Sequence, residues 1–242
     1  MSPSNVLGPG STALVTGASR GIGTLIAREI ASAGGHVVLT GRSAAELRAV
    51  TSELAAAGAD VSFVPADLTR PGVATSLVET IERQRGGVDL LVNNAGGDPL
   101  REFHTMTIDD NLRTLQLNLV APVALTHAVL GGMLRRRRGH IVNISAMAGR
   151  VSFPYTEVYA AAKDGIIGFT RVLRGDYHAR GVSASVLILG AIRDAGQGQR
   201  MLDEAGMKTS RFMVPAQAVA RAVIKAVRKD RAELVVLQVP AA

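Results

Sequence analysis

A chain of 242 residues with 47% hydrophobic content is long enough to bury one large core, and the absence of cysteine excludes disulfide frameworks, thiolate metal sites and thiol nucleophiles. The formal charge of +7 makes an acidic partner worth weighing, but with aromatics at 3% and no tryptophan, stacking platforms are scarce and nucleic acid is disfavoured. The N-terminal MSPSNVLGPG lacks the basic start and apolar run of a secretory signal, and no apolar stretch approaches the roughly 18 residues of a membrane span, so a soluble, cytoplasmic protein without a membrane partner is expected.

Along the chain, short apolar runs alternate with longer Ala-rich amphipathic segments, the pattern of successive βαβ units around a parallel sheet. It predicts strands at 12–16, 36–40, 60–64, 88–92, 139–144, 182–189 and 233–237, in one domain over 1–242. The first strand runs into Thr16-Gly17-Ala18-Ser19-Arg20-Gly21-Ile22-Gly23 and then a helical stretch. Glycines at 17, 21 and 23 let the backbone turn tightly and let a pyrophosphate approach a helix N-terminus. The second strand ends in Thr40-Gly41-Arg42-Ser43, with no carboxylate for a ribose 2′-hydroxyl; Arg42, with Arg20, suits a 2′-phosphate, which favours NADP(H) over NAD(H).

The third strand leads into Asp67-Leu68, with Asp67 also suited to cap a helix beginning near Thr69, and the fourth into Asn93-Asn94-Ala95-Gly96. Both lie where open α/β sheets bind ligands. A helix starting near Thr107 contains Pro122, which denies a partner to the carbonyl of Asn118, so a kink and a free acceptor are expected there. Arg135 to Arg138 close this helix and read as a solvated, dipole-matched end. Tyr159 and Lys163, four residues apart, share one helix face, and the ammonium is expected to draw the phenol's pKa down. The 194–213 stretch reads as a lid beside the site.

TGASRGIG at 16–23, the DL pair at 67–68, NNAG at 93–96, Asn118 and Tyr159-x-x-x-Lys163, in this order and spacing, resemble the short-chain dehydrogenase/reductase family over nearly the whole chain. The resemblance implies an α/β fold with a doubly wound, Rossmann-type sheet of seven parallel strands, helices on both faces, a nicotinamide cofactor and a homo-oligomer, dimer or tetramer. It implies cofactor contacts at Gly17, Ser19, Arg20, Gly21, Ile22, Gly23, Arg42, Ser43, Asp67, Leu68, Asn94, Ala95, Gly96, Tyr159, Lys163 and Ile192. In the family the matching Tyr passes a proton to the carbonyl oxygen while the nicotinamide delivers hydride, the Lys holds the ribose, and the Asn holds a water connected to the Lys.

Two departures stand out. The family's catalytic Ser lies thirteen residues before the Tyr and three before a Gly, and both spacings lead to Ala146. Ser145 is one place early and on the opposite strand face, so it substitutes only through a bulge or register shift. Open explanations are a donor from Ser152, Tyr155 or Thr156, a deliberate Ser-to-Ala change, other chemistry, or a coenzyme-bound protein without turnover. Leu189-Gly190 stands where the family commonly has Pro-Gly.

The leading expectation is an NADPH-dependent carbonyl reductase or ketoreductase acting on a small-molecule or acyl-carrier-bound ketone. Arg137 and Arg180 resemble carrier-docking arginines of the 3-oxoacyl reductase branch. Phe103, Met106, Met201 and Phe212 imply an apolar pocket. The alternative is a non-redox cyclase, dehydratase or accessory protein that kept the nucleotide site.

Overall fold

The computed structural model describes residues 6–195 and 213–238. Strands β1 (Thr12–Thr16), β2 (His36–Gly41), β3 (Val61–Pro65), β4 (Leu90–Asn93), β5 (Gly139–Ala146), β6 (Val182–Leu189) and β9 (Glu233–Val236) form one sheet in the order β3-β2-β1-β4-β5-β6-β9. Every neighbouring pair is parallel. Two short strands, β7 (Ile192–Arg193) and β8 (Val214–Pro215), pair separately. The seven strands fall within two residues of those expected from the apolar runs, because β1, β4 and β6 are buried at every position and admit only apolar or internally bonded residues.

Helices α1 (Gly21–Ala31), α2 (Ala44–Ala56) and α7 (Ala216–Arg228) cover one face through Ile26, Ile30, Leu47, Leu54, Val219 and Val223. Helices α3 (Val73–Arg85), α5 (Ala121–Arg136) and α6 (Glu157–Tyr177) cover the other through Leu77, Ile81, Leu125, Met133 and Leu173. The strand order reverses between β1 and β4, which opens a crevice at their C-terminal ends, the place where doubly wound sheets take ligands.

Four sequence expectations are corrected. Where a simple proline kink is expected at Asn118, helix α4 (Ile108–Leu115) widens through one π-helical turn, Gln116–Val120, and continues into α5, with the amide of Ala121 donating to the carbonyl of Gln116. Proline at 122 has no N–H for the carbonyl four residues back, and one wide turn re-registers the helix without breaking it. The composite helix Ile108–Arg136, 29 residues with a mean hydropathy of 1.6 in its most apolar window, is long and apolar enough to cross a membrane, contrary to the expectation that no stretch approaches that length; here it packs along the sheet.

The remaining two concern side chains at element ends. The 135–138 arginines are not merely solvated: Arg136 and Arg138 lie 3.6 and 3.4 Å from the buried Asp89 carboxylate, and Arg136 donates to the carbonyl of Val88 at 2.8 Å. Helix α3 begins at Val73, not near Thr69, because Asp67 closes a local turn by accepting from the amide and hydroxyl of Thr69.

Candidate active site

The crevice is a cavity of about 680 Å³. One end is the turn between β1 and α1. Gly17 and Gly21 adopt φ of +64° and +62°, and a Cβ on Gly23 would fall 2.1 Å from the carbonyl oxygen of Gly17, so no other residue lets the turn close. Gly17, Ser19, Arg20, Gly21, Ile22 and Gly23 line this end. Arg42, Asp67 and Leu68 line it from the ends of β2 and β3. The bonds from Thr69 hold the Asp67 carboxyl below its ordinary range, with the positive charge of Arg42 a smaller contribution.

Ser43 does not belong to this wall among the residues that line it. Its hydroxyl accepts from the amide of Glu46 at 3.2 Å and caps α2, a role that competes with ligand contact. The middle of the cavity is formed by Asn94, Ala95 and Gly96. Asn94 braces the glycine turn: its side-chain amide donates to the carbonyls of Thr16 and Gly17 at 2.9 and 3.3 Å. The Thr16 hydroxyl in turn accepts from the amides of Asn94 and Ala95, both at 2.9 Å.

At the other end stand Tyr159 and Lys163 on α6, Ala146 at the close of β5, Leu189 at the close of β6, and Gly190 and Ile192 just beyond it. Lys163 is buried, and its ammonium donates to the carbonyl of Ile144 at 3.0 Å. It lies 5.3 Å from the centre of the Tyr159 ring, over the face and not at the hydroxyl. Removal from water lowers the Lys163 pKa to about 8. The Tyr159 phenol is shifted upward, first by its own removal from water and then by the carboxylate of Asp98. The expected downward pull by Lys163 is therefore not what the chain's own groups produce. Desolvation penalises the phenolate more than the ring-facing ammonium compensates.

Asn118 stands behind this end, in the π-helical turn. Its amide donates to the carbonyls of Gly97 and Thr114 at 2.8 and 2.9 Å, and its oxygen accepts from the amide of Gly97 at 3.2 Å. A Cβ on Gly96 would fall 2.7 Å from that oxygen and 3.3 Å from the Lys163 nitrogen. Asn118 thus clamps the 96–97 backbone beside Lys163, and outside the cavity wall.

Strand β5 runs in unbroken register with β6, Ser145 opposite Ile188 and Ala146 opposite Leu189. No bulge brings Ser145 into the place of the missing hydroxyl. Its hydroxyl donates to the carbonyl of Lys163 at 2.8 Å. Strand and helix are thus joined twice, by the Ser145 hydroxyl on the Lys163 carbonyl and by the Lys163 ammonium on the Ile144 carbonyl. The sequence reading missed this clasp, although the opposite-face placement of Ser145 was its one available signal. It also missed Leu117, which lines the reacting end from the π-helical turn.

Other expected residues lie elsewhere. Met106 and Tyr155 border a small cleft beyond Tyr159, and Phe103 is half-exposed on a single 3-10 turn. Met201, Phe212 and most of the 194–213 lid fall outside the described residues. Arg137 and Arg180 belong to neighbouring backbone: a Cβ on Gly181 would fall 2.4 Å from the carbonyl oxygen of Arg137, while the Arg180 guanidinium lies over the ring of Tyr177. They sit where β5 and β6 begin, the whole eight-residue length of β5 away from Ala146.

The family model for short chain dehydrogenases matches residues 11–205. The chain is 33% identical over 231 residues to ketoacyl reductase HetN of Nostoc sp., covering 96% of this chain and 80% of that protein. It is 35% identical over 183 residues to 3-oxoacyl-(acyl-carrier-protein) reductase FabG of Vibrio cholerae, covering 76% and 74% respectively. A metagenomic short-chain oxidoreductase crystallised in complex with NADP superimposes with a TM-score of 0.81 at 31% identity, over 95% of this chain and 97% of that one.

Proposed function

Because this chain belongs to the short-chain dehydrogenase family, we propose that it is an NADP(H)-dependent carbonyl reductase of the ketoreductase type. The observation that carries the proposal is one cavity with the glycine turn at one end and a phenol beside a buried ammonium at the other. The glycine turn suits a dinucleotide: a Cβ at Gly17, Gly23 or Gly96 would press on Ala95, on the carbonyl of Gly17 or on the Asn118 oxygen, so the backbone closes around the cavity only with glycine at these positions. Arg20 and Arg42 border the adenosine end, and the end of β2 carries no carboxylate, which supports a 2′-phosphate. When bound, the coenzyme supplies hydride to a carbonyl carbon.

The chain's own residues do the rest. Tyr159, kept protonated by its upward shift, is the acid that gives its proton to the carbonyl oxygen, which favours the reducing direction near neutral pH. Lys163, fixed by Ile144 and Ser145, presents a cation beside the ribose position, and Asn118 holds the backbone that separates them. A homo-oligomer is part of this reading, supported by the exposed apolar side chains of Ile108, Leu112 and Val120 along the α4–α5 helix. A carrier-bound ketone has less support, since Arg137 and Arg180 lie at the far end of the sheet from the cavity.

Calorimetric titration tests the proposal. NADPH is expected to bind at least tenfold tighter than NADH, Arg42→Ala to remove that preference, and a ketone panel to deplete NADPH absorbance. Binding of NADPH with no oxidation by any carbonyl would favour the accessory reading that Ala146 supports, and absence of affinity for either coenzyme would overturn both.

A further inference from the structure

Among the described residues, the side chains at the reacting end of the cavity offer few free hydrogen-bond donors. Strand β5 presents the methyl of Ala146 to the wall, and the nearest hydroxyls are committed: Ser145 to the carbonyl of Lys163, and Thr156 to the carbonyl of Phe153 at 2.8 Å. Ser152 is exposed and lies outside the wall, while Tyr155 borders the separate cleft beyond Tyr159. The Lys163 ammonium is turned to the carbonyl of Ile144, and the Asn118 amide to Gly97 and Thr114. Among the described residues, Ser145 and Tyr159 carry the side-chain hydroxyls that line this end, and the Ser145 proton is already given to the carbonyl of Lys163.

We infer that the site is a single-donor reductase whose substrates are electron-poor carbonyls, namely vicinal diketones and quinones, and not isolated ketones. The inference rests on the reductase reading above. In the reaction the carbonyl carbon gains hydride from the dihydronicotinamide, which is thereby oxidised; the C=O π pair moves onto oxygen, and that oxygen takes the Tyr159 proton. Negative charge grows on oxygen before the proton is fully transferred. A second donor normally shares that charge, and losing one such donor costs about 10²–10³ in rate. A substrate with an adjacent carbonyl or a conjugated quinone ring spreads the charge into itself, so it loses least at a site that supplies one donor.

The test compares the wild-type chain with Ala146→Ser, each saturated with NADPH, on para-substituted acetophenones, 2,3-butanedione and 9,10-phenanthrenequinone. The wild type should show a steep dependence of kcat/KM on electron withdrawal. The serine should raise turnover of unsubstituted acetophenone by about 10²–10³ and that of the diketone and quinone by less than about tenfold, flattening the dependence. Calorimetric affinity for NADPH should be the same in both, so that the change lies in the chemistry and not in coenzyme binding. Equal acceleration of every carbonyl, or a wild type that reduces acetophenone as fast as the quinone, overturns the inference while leaving the reductase reading intact. Failure of both proteins to oxidise NADPH with any substrate overturns the two together.

Discussion

The two ends of the sheet use polar residues in opposite ways. At the end where the strands begin, charges are bonded to other parts of the chain. Asp230 accepts from Arg174 at 2.7 Å, from Ser183 at 2.5 Å and from His178 at 2.7 Å, and Arg174 also donates to the carbonyls of Ala184 and Asp230. Asp89 is held between Arg136 and Arg138 and accepts from the amide of Thr12. At the end where the strands finish, the glycine turn, Arg20, Arg42 and Tyr159 border open volume. A saturated polar group stabilises the fold and has nothing left to offer a ligand, whereas a group facing a cavity keeps that capacity.

This contrast predicts that activity and stability separate by location. Tyr159→Phe should lower turnover by about 10³-fold with NADPH affinity and melting temperature unchanged, read by absorbance, calorimetry and thermal denaturation. A matching loss of stability would mean that the phenol belongs to the packing and not to the chemistry. Arg174→Met should do the reverse. It leaves Asp230 partly buried without its main counter-charge, at about 2–3 kcal/mol in urea denaturation, the low side for a buried pair because the side chains are 21% and 20% exposed. Turnover per folded molecule should stay at the wild-type value.

A third effect, of similar size to the second but confined to acid pH, is seated at the saturated end. His140 is fully buried; Ser185 donates to the carbonyl of Arg231, which leaves its oxygen to accept from His140 Nε2, while Nδ1 has no partner. Burial lowers its pKa to about 4 from an ordinary value of 6.5. The folded state therefore binds fewer protons than the unfolded one between these values. Stability from this residue is complete above about 6.5 and is lost as pH falls toward 4, on the order of 2–3 kcal/mol. His140→Gln should flatten the fall of melting temperature across that window. A melting temperature that stays level from pH 6.5 to 4.5 in the wild type would show that His140 charges without cost.

Most of the site's position was legible because it depends on local periodicity. Apolar runs identified β1, β4 and β6, the glycines at 17, 21 and 23 marked a turn that other residues cannot close, and a spacing of four put Tyr159 and Lys163 on one face of α6. The same periodicity separated Ala146 from Ser145, and the unbroken register of β5 agrees with it.

What these groups bond to was decided in three dimensions. Ser43 is expected as a cofactor contact, and the start of α2 takes its hydroxyl as a helix cap instead. Pro122 marks a disturbance at Asn118, and only the folded chain shows that it takes the form of a π-helical turn continuing into α5. Above all, the direction of the Tyr159 shift depends on how much water the folded chain removes from the phenol. That quantity is summed over segments distant in sequence, and the charge of Asp98 adds to the shift separately, so no local pattern encodes it.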